Sequence, residues 1–387
     1  LKKKNTFKHW IGRLHVLLGL TSGLIVFIVS VTGCLYCFHD EIKDVTRPYR
    51  HVEQRSQPFV APSVLFQNAK KQAPANKPSF LVYAGKDRSA SVYSSGESGQ
   101  LYIYFDPYTG QYLATENQKT DFFVIVEYIH LYLLLPPPIG KQIVGVAIII
   151  FVVMLITGLV LWWPKRKHDR KMSFTIKWNS RWRRVNYDLH KVFGFYASAI
   201  ALVLALTGLA VDYNWMHKAM YNVANVGQNY DKNEDVHPVV DTNIIVPDLH
   251  PAMDIAFAET MKRSAHGEMF FVTPPFSKSD AITTGAYAKS LNYDHQDNYY
   301  FDPSTGKLLK SLPYSVKSSG MKFNEMNYGL HVGQYFNLPG KIAAFLVSLI
   351  CASLPITGFM IWYGRKYKKH PGRQGVSVQK KVLVKKS

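Results

Sequence analysis

Histidines at the two ends of an uncharged apolar run are the chemistry-bearing pattern in this chain. His15 and His39 bracket Leu17–Phe38, which contains no charged residue. That run makes about 33 Å of helix, enough for the roughly 30 Å hydrocarbon core of a bilayer. Three further apolar runs, 139–163, 193–211 and 342–363, each carry a histidine near an end. Imidazoles facing one another across a bundle can fill both axial positions of a haem iron, a low-spin arrangement suited to electron transfer. The pattern therefore predicts histidines that hold haem and carry electrons across a membrane.

Which histidines would pair follows from an internal repeat. YFDPYTGQ at 104–111 returns as YFDPSTGK at 300–307, and GRLHVLLG at 12–19 resembles YDLHKVFG at 187–194. His130 lies ten residues before Gly140-Lys141, and His331 nine before Gly340-Lys341. Thr-Gly recurs at 32–33, 157–158, 207–208 and 357–358, late in each run. The unit is helix, outer segment, histidine segment, helix, used twice and related by a pseudo-two-fold axis along the membrane normal. This repeat sets His15 against His190 near one face and His130 against His331 near the other. His39 and His217 form a weaker outer pair, since they stand six and nine residues past Gly33 and Gly208. Arg13 and Arg184 flank the inner pair and could hold haem propionates, with stop-transfer charge as their simpler role.

The elements that position these residues are set by hydropathy and charge. The formal net charge is +20, yet residues 1–13, 165–191 and 365–386 hold 24 of the 46 Lys and Arg with only Asp169 and Asp188 as acids. Charge that alternates between spans follows the positive-inside rule and argues against nucleic-acid binding. It places both termini and the middle loop on the cytoplasmic side and residues 40–138 and 212–341 outside. The divisions are 1–39, the first span with an amphipathic cytoplasmic start; 40–121, a first outer domain; and 122–167, an interfacial or re-entrant segment and second span. There follow 168–217, the inner loop and third span; 218–325, a second outer domain; and 326–387, the fourth span and a basic tail read as disordered. LKKKNTFKHW and 173–194 both suit helices lying on anionic lipid before their spans. Strands are expected at Phe80–Tyr83, Ala90–Tyr93, Leu101–Phe105, Met269–Thr273, Ala281–Ala286 and Asn298–Phe301.

Other chemistries lack their residues. Cys34 and Cys37 form a CxxC, but Phe38 stands where a c-type haem motif needs histidine. No GxxxxGK, GxSxG, HExxH or Rossmann fingerprint occurs. A nicotinamide or flavin donor would belong to another component.

With LH-xxx-G at His15 and His190, YFDPxTG at 104–110 and 300–306, and the two outer histidines, the chain resembles the PepSY-associated transmembrane helix family of inner-membrane proteins, which includes the bacterial siderophore reductases. The resemblance implies a polytopic α-helical membrane protein: four transmembrane helices in two repeats, with two periplasmic α/β PepSY-like domains. It also implies an oxidoreductase with haem b, two haems by the repeat, that reduces ferric siderophore and releases Fe(II) for uptake. Its electron donor would be a cytoplasmic reductase or quinol, its surroundings the lipid bilayer, and an iron-uptake transporter a further partner. Two alternatives stand beside it. One is a quinol-linked b-type cytochrome for another periplasmic acceptor. The other is a non-enzymatic, membrane-anchored PepSY module that binds or restrains a protease.

Overall fold

Among the described residues, four helices are long and apolar enough to cross a membrane: Phe7–Tyr36, Pro137–Trp162, Trp182–Asp212 and Gln334–Lys366. The computed structural model describes residues 6–164, 166–167, 170–240 and 250–367. In chain order the first half holds α1 (Thr6–Tyr36), α2 (His39–Thr46), α3 (Pro62–Gln72), β1 (Asn76–Tyr83), β2 (Ala90–Gly96), β3 (Gly99–Phe105), β4 (Tyr112–Asn117), α4 (Phe122–Tyr132) and α5 (Pro137–Trp162). After the short α6 (Arg170–Phe174), the second half holds α7 (Trp182–Asp212), α8 (Asn214–Ala224) and α9 (His250–Arg263). Then come β5 (Met269–Thr273), β6 (Ile282–Lys289), β7 (Asn292–Phe301), β8 (Leu308–Leu312), α10 (Ser319–His331) and α11 (Asn337–Lys366).

The long helices form a four-helix bundle in which α1 packs against α5 and α11, and α7 packs against the same two. Thus α1 and α7 stand across the diagonal. The middle of the bundle is filled by Val26, Phe151, Leu155, Ala197, Ala201, Ala205, Val347 and Cys351. Small side chains there let helices approach closely where lipid supplies no hydrophobic drive.

Two expectations about helices change. The aromatic, basic start at Phe7–Trp10 does not form a separate surface helix but continues unbroken into the first span. The stretch from Trp182 likewise runs straight into the third. Neither segment contains a proline between its amphipathic start and its span, and an unbroken helix keeps every backbone hydrogen bond internal as it enters lipid. The basic tail beyond Lys366 falls, apart from Tyr367, outside the described residues.

On one side of the bundle sits a single eight-stranded antiparallel sheet, order β4-β3-β2-β1-β5-β6-β7-β8. The two outer segments were expected to make separate domains. Each supplies four strands and a helix, but β1 and β5 pair directly through Leu81↔Val272, Val82↔Phe271 and Tyr83↔Phe270. Unpaired, both strands would present open edges, and joining them removes two edges at once. α3 and α9 lie together on one face, over Leu81, Ile103, Phe105, Val272, Ile282 and Phe301. Strands β4 and β8 and helices α3, α8 and α9 lack the apolar alternation that marked their neighbours.

The repeated YFDPxTG is the turn after β3 and β7. Asp106 Oδ1 accepts from the N–H groups of Tyr108 and Thr109 at 2.7 and 3.1 Å. Asp302 Oδ1 does the same for Ser304 and Thr305, both at 2.9 Å. Gly110 and Gly306 close these turns at φ +72° and +70°, a left-handed conformation that glycine adopts without a Cβ penalty.

Candidate functional site

Each of the four Thr-Gly dipeptides seats one histidine. His15 Nδ1 lies 2.9 Å from Thr157 Oγ1, and His190 Nδ1 lies 2.9 Å from Thr357 Oγ1. His130 and His331 stand 3.1 Å from Thr32 and Thr207 in the same way. The glycine that follows each threonine gives the ring its space: a Cβ there would come 3.5 Å from His15, 3.4 Å from His130, 3.2 Å from His190 and 2.9 Å from His331.

The helical setting fixes which ring nitrogen carries the proton. A threonine hydroxyl inside a helix donates to a carbonyl about one turn back, as Thr157 does to Met154 at 3.1 Å and Thr357 to Ser353 at 2.9 Å. Its single proton is then spent, so the imidazole must donate from Nδ1. His331 Nδ1 also donates to the Leu204 carbonyl at 3.0 Å, which can only accept. Nε2 is left as each ring's free acceptor.

These seats bring the rings together across the bundle. His15 and His190 face edge-on with centroids 6.4 Å apart, and His130 and His331 with centroids 6.1 Å apart. The four rings thus form two facing pairs, one toward each end of the bundle. The sequence marked the histidines and the Thr-Gly repeat separately without joining them. It also missed Asn186 and Asn327, one turn before His190 and His331, which donate to the Thr357 and Thr207 carbonyls at 3.1 Å each.

The weaker candidates part company. His39 starts α2, its ring stacked on Tyr36 at 4.2 Å and its Nδ1 2.9 Å from the Tyr36 carbonyl. His217 is exposed on α8, 3.4 Å from Asn324. Each has its own partners. Arg184 donates to Asp188 at 2.9 Å. Arg13 lies over Trp10 at 5.4 Å and lines a cavity of about 1550 Å³ that also includes His15 and His190. Gly19, Gly158, Gly194 and Gly358 contribute to the walls of the same cavity.

A family model described as PepSY-associated TM region matches residues 12–365. The chain belongs to that family. Membership is consistent with an inner-membrane protein with periplasmic loops. No curated protein matches the chain.

The expected chemistry is corrected at this site. Each pair supplies two nitrogen acceptors, enough to share a proton or meet one bound group end-on. Among the described residues no group of three or more His, Cys, Asp or Glu is placed to hold a metal ion. On that finding the haem b assignment to this PepSY-associated chain is withdrawn. With it go the oxidoreductase class, the ferric-siderophore reductase and the quinol-linked cytochrome, which drew on the same haem.

Proposed function

We propose that this PepSY-associated chain is a membrane-anchored binding module that restrains a protease on the sheet side of the membrane. The observation that carries the reading is the β1–β5 pairing, which makes one continuous eight-stranded platform of two segments far apart in sequence. A platform fused in this way holds a partner in fixed register with the bundle beneath it. Its face away from α3 and α9 turns toward the bundle, with Tyr293 against Tyr328 of α10 at 5.9 Å, which leaves the outer strand edges at β4 and β8 for a partner strand.

On this reading the two halves are a duplicated unit related by a pseudo-two-fold axis. The sheet is periplasmic, and the basic ends face the cytoplasm by the positive-inside rule. His15, His190, His130 and His331 act as clasps that register the helices. Full-length protein in nanodiscs should slow casein hydrolysis by a periplasmic extract in proportion to its amount. The same preparation, made from haem-replete cells, should give a featureless reduced-minus-oxidised spectrum. Stoichiometric b-type bands would overturn the non-enzymatic reading. Unaltered hydrolysis at saturating protein would remove the protease from it.

A further inference from the structure

A second cavity lies away from the histidines, where the first half of the sheet meets the bundle. It is about 540 Å³, between the β2–β3 hairpin and α4. Ser95, Gln100, Gln118 and Lys119 line one part, and Ile125, Tyr128 and Leu134 another.

Two independent features point to an occupant. Gln118 is 9% exposed, and its buried Nε2 finds no hydrogen-bond partner. Leaving a buried amide N–H unmade is costly, and Gln118 belongs to the cavity wall, so a turn of its amide toward the cavity would pair Nε2 with an acceptor held there. Leu133, the left-handed C-cap of α4, turns the chain so that Leu134 lines the cavity. Finally, Phe122, Ile125, Tyr128, Leu134 and Leu135 are all exposed large hydrophobics, so the apolar wall continues onto an open apolar surface. α4 itself packs against α1 and α5, which places that surface at the lipid boundary.

We propose that this cavity binds a glycerophospholipid from the leaflet on the sheet side. Its phosphate and ester oxygens accept from Gln118 Nε2 and take the charge of Lys119. Its acyl chains run along Ile125, Tyr128 and Leu134 into the bilayer. The combination selects for a molecule with both ends: an apolar ligand leaves the amide unpaired, and a soluble phosphate leaves the leucines uncovered.

The test is native mass spectrometry of full-length protein released from nanodiscs of phosphatidylglycerol and phosphatidylethanolamine. Wild type should retain one phospholipid that Gln118→Leu loses, with occupancy lowered roughly tenfold at an unchanged melting temperature, as removal of a hydrogen bond to a charged acceptor implies. Lys119→Gln, at an exposed side chain that folding does not depend on, should lower retention of phosphatidylglycerol in the same direction. Equal retention by wild type and both variants would overturn the proposal. So would glycerol 3-phosphate binding as tightly as the intact lipid, because the acyl chains would then contribute nothing.

Discussion

At the scale of single residues, the unit of this bundle is a histidine donating from Nδ1 to a threonine, with its ring against the next glycine. The four contacts differ in tightness, and the differences order the effects of substitution. At Gly208 a Cβ would come 2.9 Å from His331 Cε1, so Gly208→Ala must displace a ring seated by two acceptors. Overpacking of that kind costs about 1–3 kcal/mol. At Gly158 the nearest His15 atom is 3.5 Å away, ordinary contact, so alanine fits and gains up to about 1 kcal/mol of helix propensity. Melting in detergent should therefore move in opposite directions for the two variants, and a shared direction would show that the glycines do not seat the rings. Thr157→Val should cost about 1–3 kcal/mol, because it leaves the His15 Nδ1–H without its threonine acceptor. Thr207→Val should cost less, since His331 keeps the Leu204 carbonyl. Residue types and spacing made the histidines and the Thr-Gly repeats legible in the sequence. Their matching was not, because His15 finds its threonine 142 positions away and His190 finds its own 167 away.

At the scale of elements, the joined sheet and the helix beneath it make distinct predictions. β5 is paired on both sides, to β1 and to β6, so each of its backbone N–H groups has a ladder neighbour to lose. Val272→Pro, at a fully buried position, should destabilise by about 3 kcal/mol or more. Hydrogen exchange should show the loss in both β1 and β6; a change confined to β6 would deny the junction its role. α10 connects the sheet to the bundle, and there buried Lys317 donates to Asn298 Oδ1 at 2.6 Å and pairs with Glu325. Burial pushes Glu325 up to about 6, against the attraction of Lys317. A carboxyl whose native pKa exceeds its unfolded value binds more protons in the native state between about 4.5 and 6. Stability from this group is present below that window and falls as pH rises through it, by about 2 kcal/mol. Glu325→Gln should flatten that segment of the stability–pH curve, and an unchanged slope would assign it to other groups. Strands of alternating apolar residues, such as Leu101–Phe105, were readable in advance. β8 was not: its burial alternates, but Leu309 stands on the outer side and Lys310 on the inner, so LLKSL shows no apolar alternation to read.

At the scale of the whole molecule, the halves share three interfaces: the β1–β5 ladder and the α3–α9 pair above, and the packing of α1 with α11 and of α5 with α7 below. The sequence showed a duplicated pattern and suggested two domains per chain. It could not show that the domains are one sheet, because an edge strand and a central strand differ in what lies beside them rather than in their own residues. This arrangement has a testable consequence for assembly. A chain divided in the connection between α5 and α7 yields two fragments, each with an open central strand and half of a four-helix bundle. Alone, each fragment exposes the unpaired edge of β1 or β5, a template for aggregation. Together, the edges and the helix faces have their natural partners, including the facing rings of His15 with His190 and His130 with His331. Co-expressed fragments should therefore co-purify in equal amounts and melt as one species, while either fragment expressed singly should aggregate. Should one fragment prove soluble, monomeric and cooperatively folded in detergent by itself, the halves would be independent units, and a single rigid platform built from both would no longer follow.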